Sequence, residues 1–261
     1  MSFLASIKRI PNWVVSSFYI GMTLVIVIFN DVFGEAEWFV VFGLVFFTSM
    51  IIFFTRLLFI QIKLIINLKK EKKQTELLHL KSQVNPHFFF NTLNNLYGLV
   101  GQDTDKAQKL ILKLSDMMRY SIYEGQNDLV TIGEEVVYLN NYIELHKMRY
   151  HKTIDVQFNI EIEDDKVMIM PLLFIILMEN AFKHGVENLR KNAFVNVHMK
   201  ATMHQIDFEI ENNFDPEELN DHQGIGLNNL KRRLELVYTN KHKLNTRSTD
   251  NVFNAKLSIQ I

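Results

Sequence analysis

The chain has 261 residues, which is enough for one or two ordinary domains. It contains no cysteine, which excludes disulfides and thiolate metal sites and fits a reducing compartment. The formal net charge is -1, so no general attraction to nucleic acid is implied and we expect no direct nucleic-acid contact.

Two apolar runs open the chain, Trp13–Phe29 and Trp38–Ile60, and each is about long enough to cross a ~30 Å hydrocarbon layer as a helix. The connector Asn30–Glu37 carries acidic residues and no base, whereas basic residues flank the outer ends of both runs. The positive-inside tendency therefore predicts a transmembrane hairpin over residues 1–60, with both termini cytoplasmic. The alternative for the first run is a cleaved signal peptide, but no small-residue cleavage site follows it and a second span comes at once.

A connector this short cannot fold into a ligand-binding domain. Sensing must then use the spans, the lipid, a partner membrane protein or a cytoplasmic signal.

Residues 61–126 are predicted to form a signalling helix and a helical hairpin. Gln61–Gln83 is rich in helix formers and lacks Gly and Pro, so it should extend the second span as one helix. It is either a solvated spacer or a two-stranded coiled coil, whose seam would be Leu77, Leu80 and Val84.

Beyond Pro86 the apolar stripe resumes in a shifted register, which predicts a kink at the proline and leaves His87 accessible. This stripe consists of Phe89, Leu93, Leu96 and Val100. A second helix should start at Asp103 or Thr104. Its predicted buried face is Ala107, Leu110, Ile111, Leu114, Met118 and Ile122. Two copies of such a hairpin would make a dimeric four-helix bundle.

Residues 127–261 have the pattern of an α+β sandwich with helices on one face of a largely antiparallel sheet. The predicted helices are Thr131–Tyr150, Pro171–Gly185 and Leu227–Tyr238. The predicted strands are Ile154–Ile162, Phe194–Lys200, Gln205–Glu211, Leu244–Thr249 and Val252–Ile261.

The Pro171 helix ends in a polar cluster, Glu179, Asn180, Lys183 and His184. A magnesium nucleotide needs an oxygen ligand for the metal, a cation for the phosphates and a carboxylate to polarise the attacking group, and this cluster supplies all three. Taken alone, the cluster is more typical of an ordinary solvated face. A strand ending near Asn212 and a glycine turn at 224–227, which opens a helix, supply context that favours a nucleotide site.

The remaining histidines and several basic residues are predicted to have structural roles. Seven further histidines show no ligand spacing, and Lys231, Arg232 and Arg233 are predicted to form a solvated helix face. Arg119 and Tyr120 end a helix and should pack or form ion pairs, a contact from Arg119 to phosphate being the alternative.

Three segments together resemble the LytS-type sensor histidine kinases. They are QVNPHFFFNTLN at 83–94, PLLFIILMENAFKHG at 171–185 and GIGLNNLKRRLELVY at 224–238, in the order and spacing of that family. The resemblance implies a GHKL (Bergerat-type) ATP-binding domain behind a dimeric histidine-bearing hairpin, in a bacterial cytoplasmic membrane.

By this resemblance His87 is the phosphoacceptor and Glu179 the catalytic carboxylate. Asn180 is the magnesium ligand, and Lys183 and His184 lie beside the phosphates. Gly224, Gly226 and Leu227 belong to the glycine box of the ATP lid. The cofactors implied are ATP and Mg2+, and the implied partners are a second copy, the lipid bilayer and a response regulator of the LytTR type.

The sequence departs from the family pattern at three places. Asn212 stands where an aspartate commonly contacts adenine, so weaker nucleotide binding is expected. Phe214, Asp215 and Pro216 replace an expected glycine motif, and Phe88 follows His87 where many histidine kinases carry an acid. The leading hypothesis is a membrane-anchored kinase that phosphorylates His87 from ATP and passes the group to a regulator aspartate. The alternatives are a non-catalytic, nucleotide-gated scaffold and, more remotely, an unrelated GHKL ATPase.

Overall fold

The computed structural model describes residues 11–81, 86–149, 154–187, 189, 192–216 and 225–261. For residues 79, 86, 87, 149 and 225 the description is of the backbone alone. The chain forms two compact units, Met1–Lys72 and Lys73–Ile261. The predicted division at 126/127 lies within the second unit, and the three-domain organisation stays a prediction.

The first unit contains two helices joined by a short turn, α1 (Asn12–Phe33) and the first part of α2 (Glu37–Lys81). Both are long and apolar enough to cross a membrane, with mean hydropathies of 1.8 and 2.3. Tyr19 ties them together: its hydroxyl donates to Ser49 Oγ at 3.3 Å, and its ring packs 5.2 Å from that of Phe53. The predicted helical hairpin is therefore present.

Helix α2 continues without interruption to Lys81, as predicted from its composition. Leu77 and Leu80 do not form an open seam, because Leu80 is buried and Leu77 packs against the core of the second unit. These two side chains therefore pack against other residues of the same chain. Val84 and the predicted kink beside Pro86 lie in or next to 82–85, outside the described residues.

Two helices, α3 (Pro86–Val100) and α4 (Thr104–Ile122), form the predicted hairpin. Asp103 caps α4, since its carboxylate accepts the backbone N–H of Lys106 at 2.9 Å.

The buried faces of this hairpin differ in register from the prediction. On α4, Ala107, Leu110 and Leu114 are buried as expected, but Met117 replaces Met118. Ile111, Met118 and Ile122 are exposed. On α3, Phe88 and Thr92 are buried, Phe89 and Leu96 pack against the core, and Leu93 and Val100 are exposed. The reason is that the hairpin has two apolar faces, and the sequence pattern merged them into one.

The next part of the chain is one long helix, α5 (Ile132–Arg149), which follows the short strand β1 (Val130–Thr131). Its buried residues include Leu139, Tyr142 and Ile143, as the apolar spacing predicts. Strand β1 pairs with β3 (Met168–Ile169), which the sequence pattern missed because each strand has two residues.

The main sheet has five strands in the order β2-β4-β5-β7-β6. They are β2 (Asp155–Ile162), β4 (Phe194–Ala201), β5 (Gln205–Asn213), β6 (His242–Ser248) and β7 (Val252–Gln260). Only the edge pair β2 and β4 is parallel among the strands described. The prediction of a largely antiparallel sheet is confirmed.

One face of the sheet is covered by helices, and alternate residues of β4, β5 and β7 are buried there. Two further helices contribute to this layer, α6 (Ile175–Ala181) and α7 (Ile225–Val237). Phe174, just before α6, stacks on Phe208 of β5 with ring centroids 4.8 Å apart. The α+β layering predicted from sequence is thus the observed architecture.

The prediction that Pro171 opens a helix is wrong. The helix begins at Ile175, and Leu172 has a φ of 57° in the left-handed region. The backbone N–H of Leu172 donates to Glu135, and its carbonyl accepts from Arg233, so tertiary hydrogen bonds hold this turn open.

Candidate active site

The polar cluster predicted to bind nucleotide lies on one continuous helical segment. Glu179 and Asn180 are on α6, and Lys183 and His184 follow in a π-helical turn, Phe182–Val186. Lys183 is exposed, the other three are half-buried, and Ala181 and Phe182 between them are buried in the core. π-helical turns are frequent at functional sites because they change the direction of side chains along a helix.

The end of β5 lies directly against this turn. A methyl group on Gly185 would lie 2.6 Å from the carbonyl oxygen of Asn213 and 2.8 Å from Asn212 Nδ2. The structure therefore brings Asn212 together with the Lys183 and His184 segment, and the contact requires glycine at position 185.

Asn212 presents a buried hydrogen-bond acceptor. The residue is 1% exposed; its Nδ2 donates to the carbonyl of Asn213 at 3.1 Å, while Oδ1 has no hydrogen-bond partner. A buried acceptor without a partner is unfavourable, so it is expected to receive a donor from a ligand. The exocyclic amine of adenine is such a donor, and the residues here fit that group.

The glycine turn is described only in part. Gly224 lies outside the described residues, and Gly226 belongs to the first turn of α7. A methyl group on Gly226 would lie 3.6 Å from Ile176, and Leu227 packs against the core. The N-terminus of α7 thus borders α6, one turn before Glu179.

The environment of Glu179 changes its acidity. Burial raises the pKa of Glu179 to about 7, although the positive charges of Arg233 and Lys183 oppose this rise. A carboxyl with a pKa near neutrality can accept or release a proton under physiological conditions. Burial, followed by the charge of Lys183, lowers the pKa of His184, which favours a neutral imidazole.

A second set of charges beneath the site was missed in the sequence. Glu135 of α5 is fully buried and accepts hydrogen bonds at 2.7 Å from the Tyr120 hydroxyl and from the backbone N–H of Leu172. Arg233, predicted to be solvated, is 3% exposed and donates from Nη1 to the carbonyl oxygen of Leu172 at 3.0 Å. Burial lowers the pKa of Arg233 to about 10, against the opposing charges of Glu179 and Glu135.

A sequence signal for Arg233 did exist. It follows Leu230 by three positions and precedes Val237 by four, which places it on the apolar face of α7. Arg119, in contrast, forms an exposed ion pair with Asp116 at 3.7 Å, as one of its two interpretations predicted.

His87 lies in the first turn of α3, and its side chain is outside the described part of the chain. Its neighbour Phe88 is buried and packs against the rings of Tyr142 and His146, at centroid distances of 4.9 and 5.1 Å. His146 in turn lies 4.6 Å from the ring of Phe182. An aromatic cluster therefore joins the start of the His87 helix to the segment that bears Lys183.

Known proteins with similar sequences support the family resemblance. Residues 75–154, which include His87, match the histidine kinase family model. The chain is 32% identical over 191 residues to the sensor protein LytS of Staphylococcus haemolyticus, covering 68% of this chain and 33% of that protein. It is 33% identical over 125 residues to the sensor histidine kinase/phosphatase LytS of Staphylococcus aureus, covering 48% and 21%.

The resemblance of this chain to the LytS-type sensor histidine kinases is thus confirmed in sequence.

The chain spans about a third or less of the length of these LytS relatives. Among solved structures, the histidine kinase domain of the blue-light activated histidine kinase EL346 from Erythrobacter litoralis aligns over 73% of this chain and 93% of that chain. The identity is 14% and the TM-score 0.38, so the description of the fold rests on this chain's own strand order and helix placement.

Proposed function

We propose that this chain is a membrane-anchored sensor histidine kinase that transfers the γ-phosphoryl group of ATP to His87. The single observation that carries the proposal is the close approach of Asn212, at the end of the central strand β5, to Gly185 within the Glu179–His184 segment. Asn212 Oδ1 would accept a hydrogen bond from the adenine amine, and the polar segment would hold the phosphates.

Each polar residue has a proposed task. Lys183 is exposed and supplies a cation to the phosphates, and neutral His184 can donate one hydrogen bond without adding charge. Asn180 supplies an oxygen ligand to Mg2+, which neutralises charge developing on the transferred group when it is bound. Glycine at 226 leaves the first amides of α7 open toward an anion.

In the proposed transfer, an imidazole nitrogen of His87 attacks the γ-phosphorus in line, while the bond from phosphorus to the bridging oxygen of ADP breaks. The proton on the other ring nitrogen passes to the carboxylate of Glu179. A pKa of about 7 suits this role, because the carboxylate is ionised in part of the molecules at neutral pH and becomes a competent acceptor above it. The phosphohistidine then donates its phosphoryl group to an aspartate of a response regulator.

The proposed homodimer uses the outer face of the hairpin. Phe90, Leu93, Tyr97 and Val100 are exposed on α3 at the spacing of one helical stripe, and Ile111, Met118 and Ile122 continue it on α4. Apolar surface of this extent marks an interaction site. Pairing with a second hairpin would complete a four-helix bundle.

Both chain termini are proposed to be cytoplasmic, with α1 and the first part of α2 spanning the bacterial membrane. The response regulator is proposed to be of the LytTR type, by analogy with LytS relatives.

The test uses the full chain in detergent micelles or nanodiscs, incubated with γ-labelled ATP and magnesium. We expect acid-labile labelling of the wild type and none of His87→Ala. Asn180→Ala should lose magnesium-dependent nucleotide binding. Equal labelling of His87→Ala, or unchanged nucleotide affinity of Asn180→Ala, contradicts the assigned roles.

A non-catalytic, nucleotide-gated scaffold is the second candidate, because Asn212 places a neutral amide where the family carries a charged acceptor. ATP binding by the wild type without any phosphohistidine would favour it.

A further inference from the structure

The cytoplasmic end of α2 is fastened to α7 and to the loop before β1. Glu76 accepts two hydrogen bonds from Arg232, 2.6 Å from Nε to Oε1 and 3.0 Å from Nη2 to Oε2. One turn further, Arg233 Nη2 donates to the carbonyl oxygen of Leu80. Lys81 Nζ donates to the carbonyl oxygen of Asn127 at 2.6 Å. These contacts are named the α2 clasp.

Part of the clasp is buried. Leu80 and Lys81 are each 7% exposed and Arg233 is 3% exposed. The guanidinium of Arg233 thus reaches a backbone carbonyl of α2 in the interior of the second unit. The inner contacts are therefore specific.

The outer pair of the clasp is weaker. The side chains of Glu76 and Arg232 are 34% and 46% exposed to solvent, so water screens the attraction between their charges. Such a pair can be opened and reformed without unfolding the parts that it joins.

The clasp joins two functional parts of the chain. On one side, α2 also carries the apolar span, and Lys81 precedes His87 by six positions. On the other side, α7 begins beside α6, which bears the proposed catalytic carboxylate Glu179.

We propose that the α2 clasp is an autoinhibitory contact that holds the nucleotide-binding residues against the helix preceding His87. The inference rests on the proposed function. Phosphoryl transfer needs an in-line approach to His87, and transfer to a regulator needs the same imidazole cleared, so the nucleotide-binding part must move relative to α2. A contact between them restricts that movement. Displacement of α2 by a membrane-side signal opens the clasp and raises the rate of autophosphorylation.

A matched pair of variants tests this proposal. Arg232 pairs both with Glu76 on α2 and with Glu235 on its own helix, at 2.6 and 3.1 Å. Glu76→Gln and Glu235→Gln each remove one carboxylate from the same guanidinium, but only the first weakens a contact of the clasp. In the full chain with labelled ATP, Glu76→Gln should raise the initial rate of His87 phosphorylation roughly two- to fivefold, and Glu235→Gln should leave it unchanged.

A charge reversal tests whether the ion pair itself sets the rate. The Glu76→Arg, Arg232→Glu double variant restores a pair of opposite charges, so its rate of His87 phosphorylation should return to that of the wild type. A Glu76→Gln rate equal to or below that of Glu235→Gln overturns the proposal.

A cross-link tests the contact between Glu76 and Arg232 independently of the proposed catalytic residues. The chain has no cysteine, so Glu76→Cys with Arg232→Cys creates a unique thiol pair that a short bis-maleimide can join within one chain. The linked protein should phosphorylate more slowly than the same variant treated with a monofunctional maleimide.

The yield of this cross-link is measured without ATP and therefore tests the clasp alone. High yield with no phosphohistidine in any variant would end the proposed function but not the contact. Negligible yield within one chain, or an unchanged rate after linking, overturns the autoinhibitory proposal.

Discussion

The raised pKa of the buried Glu179 carboxyl makes the stability of the protein depend on pH. This pKa is raised from 4.5 to about 7 in the folded protein, so the native state binds this proton more tightly than the unfolded state. The resulting stabilisation is complete below the unfolded pKa and is lost as the pH rises through about 7.

The Glu179→Gln variant tests this linkage. It mimics the neutral carboxyl, so at about pH 8 its free energy of unfolding should exceed that of the wild type by roughly 3 kcal/mol, and at about pH 4, below the unfolded pKa, the two should be nearly equal. Thermal unfolding of the full chain in one detergent at both pH values measures this. In the labelling assay the same variant should lose roughly 100-fold or more in rate. Lower stability than the wild type at about pH 8 would contradict the raised pKa.

The buried acceptor Oδ1 of Asn212 predicts how a substitution at this position changes the affinity for ATP. Replacing Asn212 by leucine keeps the side-chain volume but removes the acceptor Oδ1, so ATP should bind roughly 5- to 15-fold more weakly, the value of one hydrogen bond. Isothermal titration with ATP and with a nucleotide lacking the exocyclic amine measures it. The wild type should prefer ATP and the variant should discriminate less; an unchanged preference would remove Asn212 from the adenine site.

At the scale of elements, periodicity predicted the helices and strands because most of them bury one face. The residue types of β2 alternate strictly, although Ile160 is exposed, and α5 shows its apolar spacing over four turns. The same reasoning failed for Arg233 and Leu172, because a buried guanidinium and a left-handed backbone depend on partners far away in the chain. It also failed for Ile111, whose apolar character serves a face that the single chain leaves exposed.

The contact between the π-helical turn and β5 predicts a strong glycine requirement. Gly185→Ala places a methyl group 2.6 Å from a backbone oxygen of Asn213, which cannot move without displacing the strand, so roughly 1–3 kcal/mol of stability should be lost. Gly226→Ala is the matched control, since its methyl group would lie 3.6 Å from Ile176 in ordinary contact. Thermal unfolding compares the two; equal stability of both variants would show that the close approach is absent.

At the scale of the whole molecule, the exposed stripe on the hairpin predicts self-association. Leu93→Asp should shift the protein from dimer to monomer in detergent, because a charge would be buried at the centre of the bundle. Asn94→Asp, at the next and exposed position, adds the same charge and should leave the dimer intact. Sedimentation of both variants measures the outcome, and a Leu93→Asp dimer as stable as that of the control would exclude this face.

The sequence predicted the residues of the candidate site but not the buried contacts that hold them in place. The blocks around Glu179 and Asn212 were identified from residue type and order, and the structure places them together. The contacts of Glu135 and of the α2 clasp could not be predicted from the sequence, since their partners lie 15 to 156 positions away. The predicted roles of His87 and Gly224 fall outside the described side chains and stay predictions.

The central claim is that an ATP site in the second unit phosphorylates one imidazole, that of His87. The most direct measurement is the label transferred from γ-labelled ATP to the full chain, with acid lability and peptide mapping to locate it. The account predicts one acid-labile phosphoryl group on the peptide containing His87, absent from His87→Ala and from Asn180→Ala. Label retained by His87→Ala, or mapped to another residue in the wild type, would contradict it.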